Sequence, residues 1–145
     1  MFSSSQSLGS QRLTAGAYRD IGASTAVLGA SPHKMVSLLY EALASQIAAA
    51  RGAMARGDIA AKGRSISHAV RIIEEGLSAP LDMHAGGAIA SNLRDLYDYL
   101  VHQLTLANLR NDDETLQRCS RLIETVREGW DGIADQAHAA PAARS

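Results

Sequence analysis

The chain has 145 residues, enough for one domain with a single core, and 46% of them are hydrophobic, as in ordinary water-soluble folds. Fourteen Lys and Arg nearly balance fifteen Asp and Glu, so no basic field exists to gather nucleic acid or anionic lipid in bulk. No apolar run approaches the ~18 residues of a membrane span, the opening MFSSSQSLGSQR lacks the basic and apolar regions of a secretion signal, and the single Cys119 excludes an intrachain disulfide.

Residues 1–30 hold Leu13, Tyr18, Ile21, Val27 and Leu28, interrupted by Gly16, Gly22 and Gly29. Each helix-interior glycine costs about 1 kcal/mol relative to alanine, so an independent helix here would be weak. The stretch reads either as a disordered leader or as a flexible arm that docks its few apolar residues on the rest. The sequence leaves both open.

Ser31-Pro32 then reads as an N-cap followed by the first helical position, where proline's missing N–H is not needed. Val36, Leu39, Leu43, Ile47, Ala50 and Met54 recur at steps of three and four, one face of a first helix. Arg56-Gly57-Asp58 ends it, with glycine for the left-handed position and an acid to cap the next helix. A second helix carries Ile59, Ile66, Val70, Ile73 and Leu77, and Pro80 stops it. Leu81 to Gly87 is a loop. The third helix places Ile89, Leu93, Leu96, Leu100, Leu104 and Ala107 on one stripe. Asn108 to Asp113 forms the next turn, capped by Asp112 or Asp113, and the fourth helix follows with Leu116, Cys119, Ile123, Val126, Trp130 and Ile133.

Four helices of roughly 20 residues, each about 30 Å long and joined by short turns, must lie beside antiparallel neighbours. The expected fold is all-α: an antiparallel up-down four-helix bundle over residues 31–135, with a flexible N-terminal arm over 1–30 and a disordered tail over 136–145.

Four-helix bundles often house metal centres, which need Glu-x-x-His pairs facing inward. None of His33, His68, His84, His102 and His138 has a glutamate three residues before it. Asp98 and His102 come nearest, and read as a solvated pair on a helix face. Cys119 lies on an apolar stripe, as a buried structural thiol would. Gly86-Gly87 has no lysine or P-loop pattern beside it to make an anion site. No nucleophile, base and orienting group assemble, so neither an enzyme nor a cofactor is expected.

Apolar and aromatic faces remain. On a wheel of about 100° per residue with Ile89 at zero, Tyr97 falls near 80° and Val101 near 120°, while Tyr99 and Leu106 fall near 280° and 260°. Tyr97 can therefore sit at the edge of the core with its hydroxyl in water, and Tyr99 belongs to another face. In helix one a second row, Met35, Leu38, Ala42, Ala49 and Ala53, runs beside the main stripe. It reads as a wide core seam or as a groove for an amphipathic helix of a partner.

Several of these stretches carry a resemblance. Ser31-Pro32-His33-Lys34-Met35-Val36 with Leu38-Leu39-Tyr40-Glu41-Ala42-Leu43, and GGAIASNLRDLYDYLVHQLTLAN at residues 86–108, are similar to the flagellar secretion chaperone family FliS. Ala17-Tyr18 and Trp130 extend the match from about residue 17 to 131. The glycines of helix two, Gly63 and Gly76, and the serine-rich start depart from the pattern.

The resemblance implies a cytoplasmic chaperone that binds the C-terminal segment of flagellin in helical pieces, prevents premature polymerisation and aids delivery to a flagellar type III export gate component. The arm would cover part of the same surface when cargo is absent. The residues expected to meet flagellin or the arm are Tyr18, Ile21, Met35, Leu38, Tyr40, Ala42, Ala49, Ile66, Val70, Ile73, Tyr97 and Val101. Tyr40 and Tyr97 would act as edge residues, ring to cargo and hydroxyl to water. The alternatives are a metal-dependent bundle enzyme and a generic self-associating bundle. A homodimer without cargo is a further expectation; nucleic-acid binding and membrane insertion are not.

Overall fold

The computed structural model describes residues 31–139, with side chains through Ile133. The N-terminal arm, with Tyr18 and Ile21, and the last six residues lie outside the described residues. Four helices follow one another: α1 Pro32–Ala55, α2 Ile59–Arg71 with a π-helical continuation Ile72–Ser78, α3 Gly87–Arg110 and α4 Asp113–Ala139. α4 stays helical past residue 135, where the sequence reading began a tail.

Local chemistry sets the boundaries. Ser31 Oγ accepts the Lys34 N–H at 3.2 Å, with Pro32 at the first helical position. At the far end Gly57 takes φ 73°; its N–H donates to the Met54 carbonyl and that of Asp58 to the Ala53 carbonyl. This pair of bonds satisfies two of the carbonyls a helix end leaves open, and only glycine takes that φ without strain. Asp58 then accepts the Ala61 N–H and starts α2. α3 closes in the same way around Asn111 at φ 52°, the Asp112 N–H reaching the Ala107 carbonyl. Asp112 in turn caps α4 by accepting the Thr115 N–H and hydroxyl.

Long-range contacts fix the topology. Arg51, late in α1, pairs with Asp113 at the start of α4, while His33 at the start of α1 meets Trp130 late in α4. Lys62, early in α2, reaches Asn108 and Asn111 at the end of α3. Leu39, early in α1, packs on Gly76 near the end of the second helix. Each adjacent pair therefore runs antiparallel, in the ring order α1, α2, α3, α4, with α1 and α3 across the diagonal. An antiparallel four-helix bundle is what the periodicity and the short turns predict.

The core holds Leu39, Leu43, Ile47 and Ala50 of α1, Ile66, Ile73 and Leu77 of the second helix, Leu100, Leu104 and Ala107 of α3, and Leu116, Cys119 and Ile123 of α4. Three stripe positions depart from expectation: Ile59, Ile89 and Ile133 are exposed. Ile59 and Ile89 sit in first turns and Ile133 lies beyond the Trp130 contact, where fewer neighbouring helices remain to cover a side chain. Ala90, one position on from Ile89, takes the buried place in α3.

The π-helical stretch changes what the second helix buries. The Ala79 N–H reaches the Glu74 carbonyl, a five-residue step that widens the turn. Ile72 and Ile73 both face inward, as do Gly76 and Leu77.

Candidate partner-binding surface

Four of the side chains expected to meet a partner are core. Tyr40, Ile66, Ile73 and Tyr97 are all at or below 3% exposure. The expectation that Tyr40 and Tyr97 keep their hydroxyls in water is corrected by their geometry. The rings point across the bundle diagonal and the two hydroxyls hydrogen-bond each other at 2.5 Å. A buried phenol needs a polar partner, and each finds it in the other. Among the described side chains no buried polar atom is left without one. Burial raises the pKa of both phenols, most strongly that of Tyr97.

Above this pair lies Trp130. Its indole N–H donates to the His33 carbonyl at 3.1 Å, and the His33 Nε2–H donates to the Trp130 carbonyl at 2.7 Å. The two rings stack with centroids 4.4 Å apart and planes at 7°, and Tyr40 meets the indole edge-on. This aromatic group ties the start of α1 to the end of α4. Ser37 and Asp131 add a hydrogen bond beside it. Sequence reasoning found Trp130 on the core stripe but not its partner, because His33 and Trp130 are 97 residues apart.

The remaining described candidates fall on the two flanks of α2. Leu39 touches Gly76, so α2 lies on that side of α1. Met35, Leu38 and Ala42 sit about 40–100° around the wheel from Leu39, opposite to the side that meets α4. All three are partly buried, and Ala49 of the same row is exposed. Val70 and Val101 are partly buried against the core. Each stands two turns from residues of the α2–α3 seam: Val70 from Gly63, Val101 from Asn108. The row in α1 and the two valines therefore line separate seams rather than one groove.

Lys62 was not expected inside. It is 3% exposed, and its ammonium donates to the Asn108 carbonyl at 2.8 Å and to the Asn111 side-chain oxygen. A cation at the end of α3 meets the carbonyls that a helix leaves unpaired there. The only trace of this in the sequence is a lysine near the stripe of an otherwise small-residue helix.

Other groups have structural roles. Burial pushes the Cys119 thiol up to about 11, with Arg118 opposing the shift. Such a thiol holds its proton and is a poor nucleophile. Asp98 and His102 are both exposed. The Arg51 guanidinium grips Asp113 with two bonds and holds its carboxyl below the usual range. At the α2–α3 seam an open depression of about 430 Å³ is lined by Ile59, Gly63, Arg64, His68 and Arg71 of α2 and Asn108 of α3, among others. Ile89, Leu109, Ile133 and Tyr99 are all more than half exposed.

Comparison with known proteins places this bundle. The family model described as flagellar protein FliS matches residues 14–137. The chain is 40% identical over 121 residues to the flagellar secretion chaperone FliS of Salmonella typhimurium, covering 83% of this chain and 90% of the relative. It is 40% identical over 117 residues to the flagellar secretion chaperone FliSB of Pseudomonas aeruginosa, covering 81% and 92%. Against the flagellar secretion chaperone FliS of Vibrio cholerae it is 35% identical over 122 residues, covering 84% and 89%. These relatives are chaperones by name rather than enzymes, in agreement with the reading of the sequence. The matched span takes in all of α1, α2 and α3 and nearly all of α4, and the chain belongs to the flagellar protein FliS family.

Proposed function

We propose that this chain is a cytoplasmic export chaperone that binds the C-terminal segment of flagellin, keeps it from polymerising early and delivers it to the flagellar type III export gate. The names of its relatives support the chaperone role. The observation that carries the cargo reading is the set of half-covered apolar residues beside α2. Met35, Leu38 and Ala42, with exposed Ala49, lie on one flank, and Val70 and Val101 on the other.

A segment that folds as it binds gives up about 2–5 kcal/mol in ordering. Apolar burial returns about 25 cal/mol per Å², so several turns of contact are needed. Two seams running along the bundle offer that length, and alanines let a second backbone approach closely. Tyr40, Tyr97, Ile66 and Ile73 act beneath this surface and hold its walls in place. Tyr18 and Ile21 belong to an arm that docks on the bundle and covers part of the cargo surface.

The test is a pull-down with flagellin truncated before its C-terminal helical segment. The truncated protein should fail to bind. Retention at the level of intact flagellin overturns the proposal. For the arm, Tyr18→Ala should change cargo or gate affinity while helical circular dichroism stays the same. Unchanged affinity for both rejects that role.

A further inference from the structure

Between Asp58 and Glu74 the second helix carries Lys62, Arg64, His68 and Arg71 and no acid, in a chain whose overall charge is −1. Lys62 is turned inward. Arg64, His68 and Arg71 are exposed, and their spacing of four and three residues places them on one ridge. Among the described residues none of the three has an ion-pair partner. Arg51, Arg118 and Arg127 of α1 and α4 are matched by Asp113, Glu114, Glu41 and Glu124. Among the described residues no carboxylate pairs with the positive charge on the outer face of α2.

Beside the ridge lies the open depression of about 430 Å³, whose floor includes Ile59, Ala60 and Gly63. Ile59 is 58% exposed. A Cβ at Gly63 would meet no atom within 4 Å, so packing inside the protein does not require glycine there. A mid-helix glycine still weakens the helix. Its bare backbone leaves open space beside the depression.

We infer that the outer face of α2, from Ile59 to Arg71, docks an acidic amphipathic helix of a partner protein. Small apolar side chains of that helix enter the depression over Ile59 and Gly63, and its carboxylates meet Arg64, His68 and Arg71. A helix suits the site because its own three- and four-residue spacing matches that of the ridge. Nucleic acid suits it poorly: no Phe, Tyr or Trp ring lines the depression to stack on a base, and the chain as a whole is not basic. The depression adjoins the α2–α3 seam through Gly63 and Asn108, so the flagellin control below separates this docking from the cargo reading.

The probe is a synthetic helix of about five turns, with alanine and leucine on one face and glutamate on the other. It is compared with a counterpart carrying lysine for glutamate and with a single-stranded RNA oligonucleotide. The acidic peptide should bind and shift the amide resonances of Gly63, Ser67 and Arg71. The Arg64→Glu/Arg71→Glu double variant should bind it at least about tenfold more weakly and should gain affinity for the lysine peptide. Binding of the flagellin C-terminal fragment should be the same for both proteins. If the double variant loses helix content, Gly63→Leu, which fills the depression without altering charge, must weaken the acidic peptide instead. Equal binding of the two peptides, no binding of the acidic one, tighter binding of the RNA, or shifts confined to other helices overturns the inference. A parallel loss of flagellin binding in the double variant assigns the ridge to the cargo and also overturns it.

Discussion

Tyr40 and Tyr97 join the diagonal helices α1 and α3 through their hydroxyls. Removing one hydroxyl strands the other in the core, which costs about 1–3 kcal/mol. Tyr40→Phe should therefore destabilise by that amount in urea unfolding, and Tyr40→Phe/Tyr97→Phe by less than the sum of the two singles. The pair also sets a pH dependence. Burial raises both phenol pKa values, so the folded state keeps protons that unfolded tyrosines release near a pKa of about 10. Stability from the pair is complete below about pH 10 and falls as pH rises past it. Above that pH the wild type should lose stability more steeply than the double variant. Cys119 gives a second measurement at this scale: with its thiol pushed up to about 11, it should label with a thiol reagent at pH 8 at least about tenfold more slowly in the native protein than in the unfolded chain.

At the scale of the helix, the second helix is the most specialised element. Its π-helical stretch turns two adjacent pairs of residues inward, and Gly76 lets it settle on α1. A Cβ at Gly76 would stand 3.3 Å from both terminal methyl carbons of Leu39, itself fully buried. Overpacking a filled core costs about 1–3 kcal/mol, and the gain in helix propensity returns at most about 1 kcal/mol. Gly76→Ala should thus lower stability, and Leu39→Val should make it tolerable, the two together losing less than their sum. Lys62 ties α2 to the end of α3. Lys62→Met leaves the Asn108 carbonyl and the Asn111 side chain without their cation, at a cost of about 1–3 kcal/mol. Amide exchange should speed up in the last turn of α3 and change little in α4.

For the whole molecule, ring order decides which apolar residues can meet a partner. α1 and α4 are clasped at both ends, by Arg51 with Asp113 and by His33 with Trp130. The seams beside α2 hold the half-covered residues. If flagellin lies in those seams, deuterium exchange should slow along the α2-facing side of α1 and along α2 when cargo is added. Light scattering without cargo tests whether the chain pairs with itself.

Helix number, order and turns follow from the chain alone, because a cap, a left-handed glycine or asparagine and a three-four stripe act within a few residues of one another. Ser31, Gly57, Asp58 and Asp112 needed no tertiary information to be read. Tertiary structure decided which stripe residues are covered: Ile59, Ile89 and Ile133 have the right spacing but lie where neighbouring helices no longer reach. It also decided the tyrosines. A helical wheel gives Tyr97 a direction within its own helix, but only the approach of α1 across the diagonal supplies the second hydroxyl that makes burial tolerable. Periodicity reports the geometry of one helix, whereas burial depends on what stands opposite.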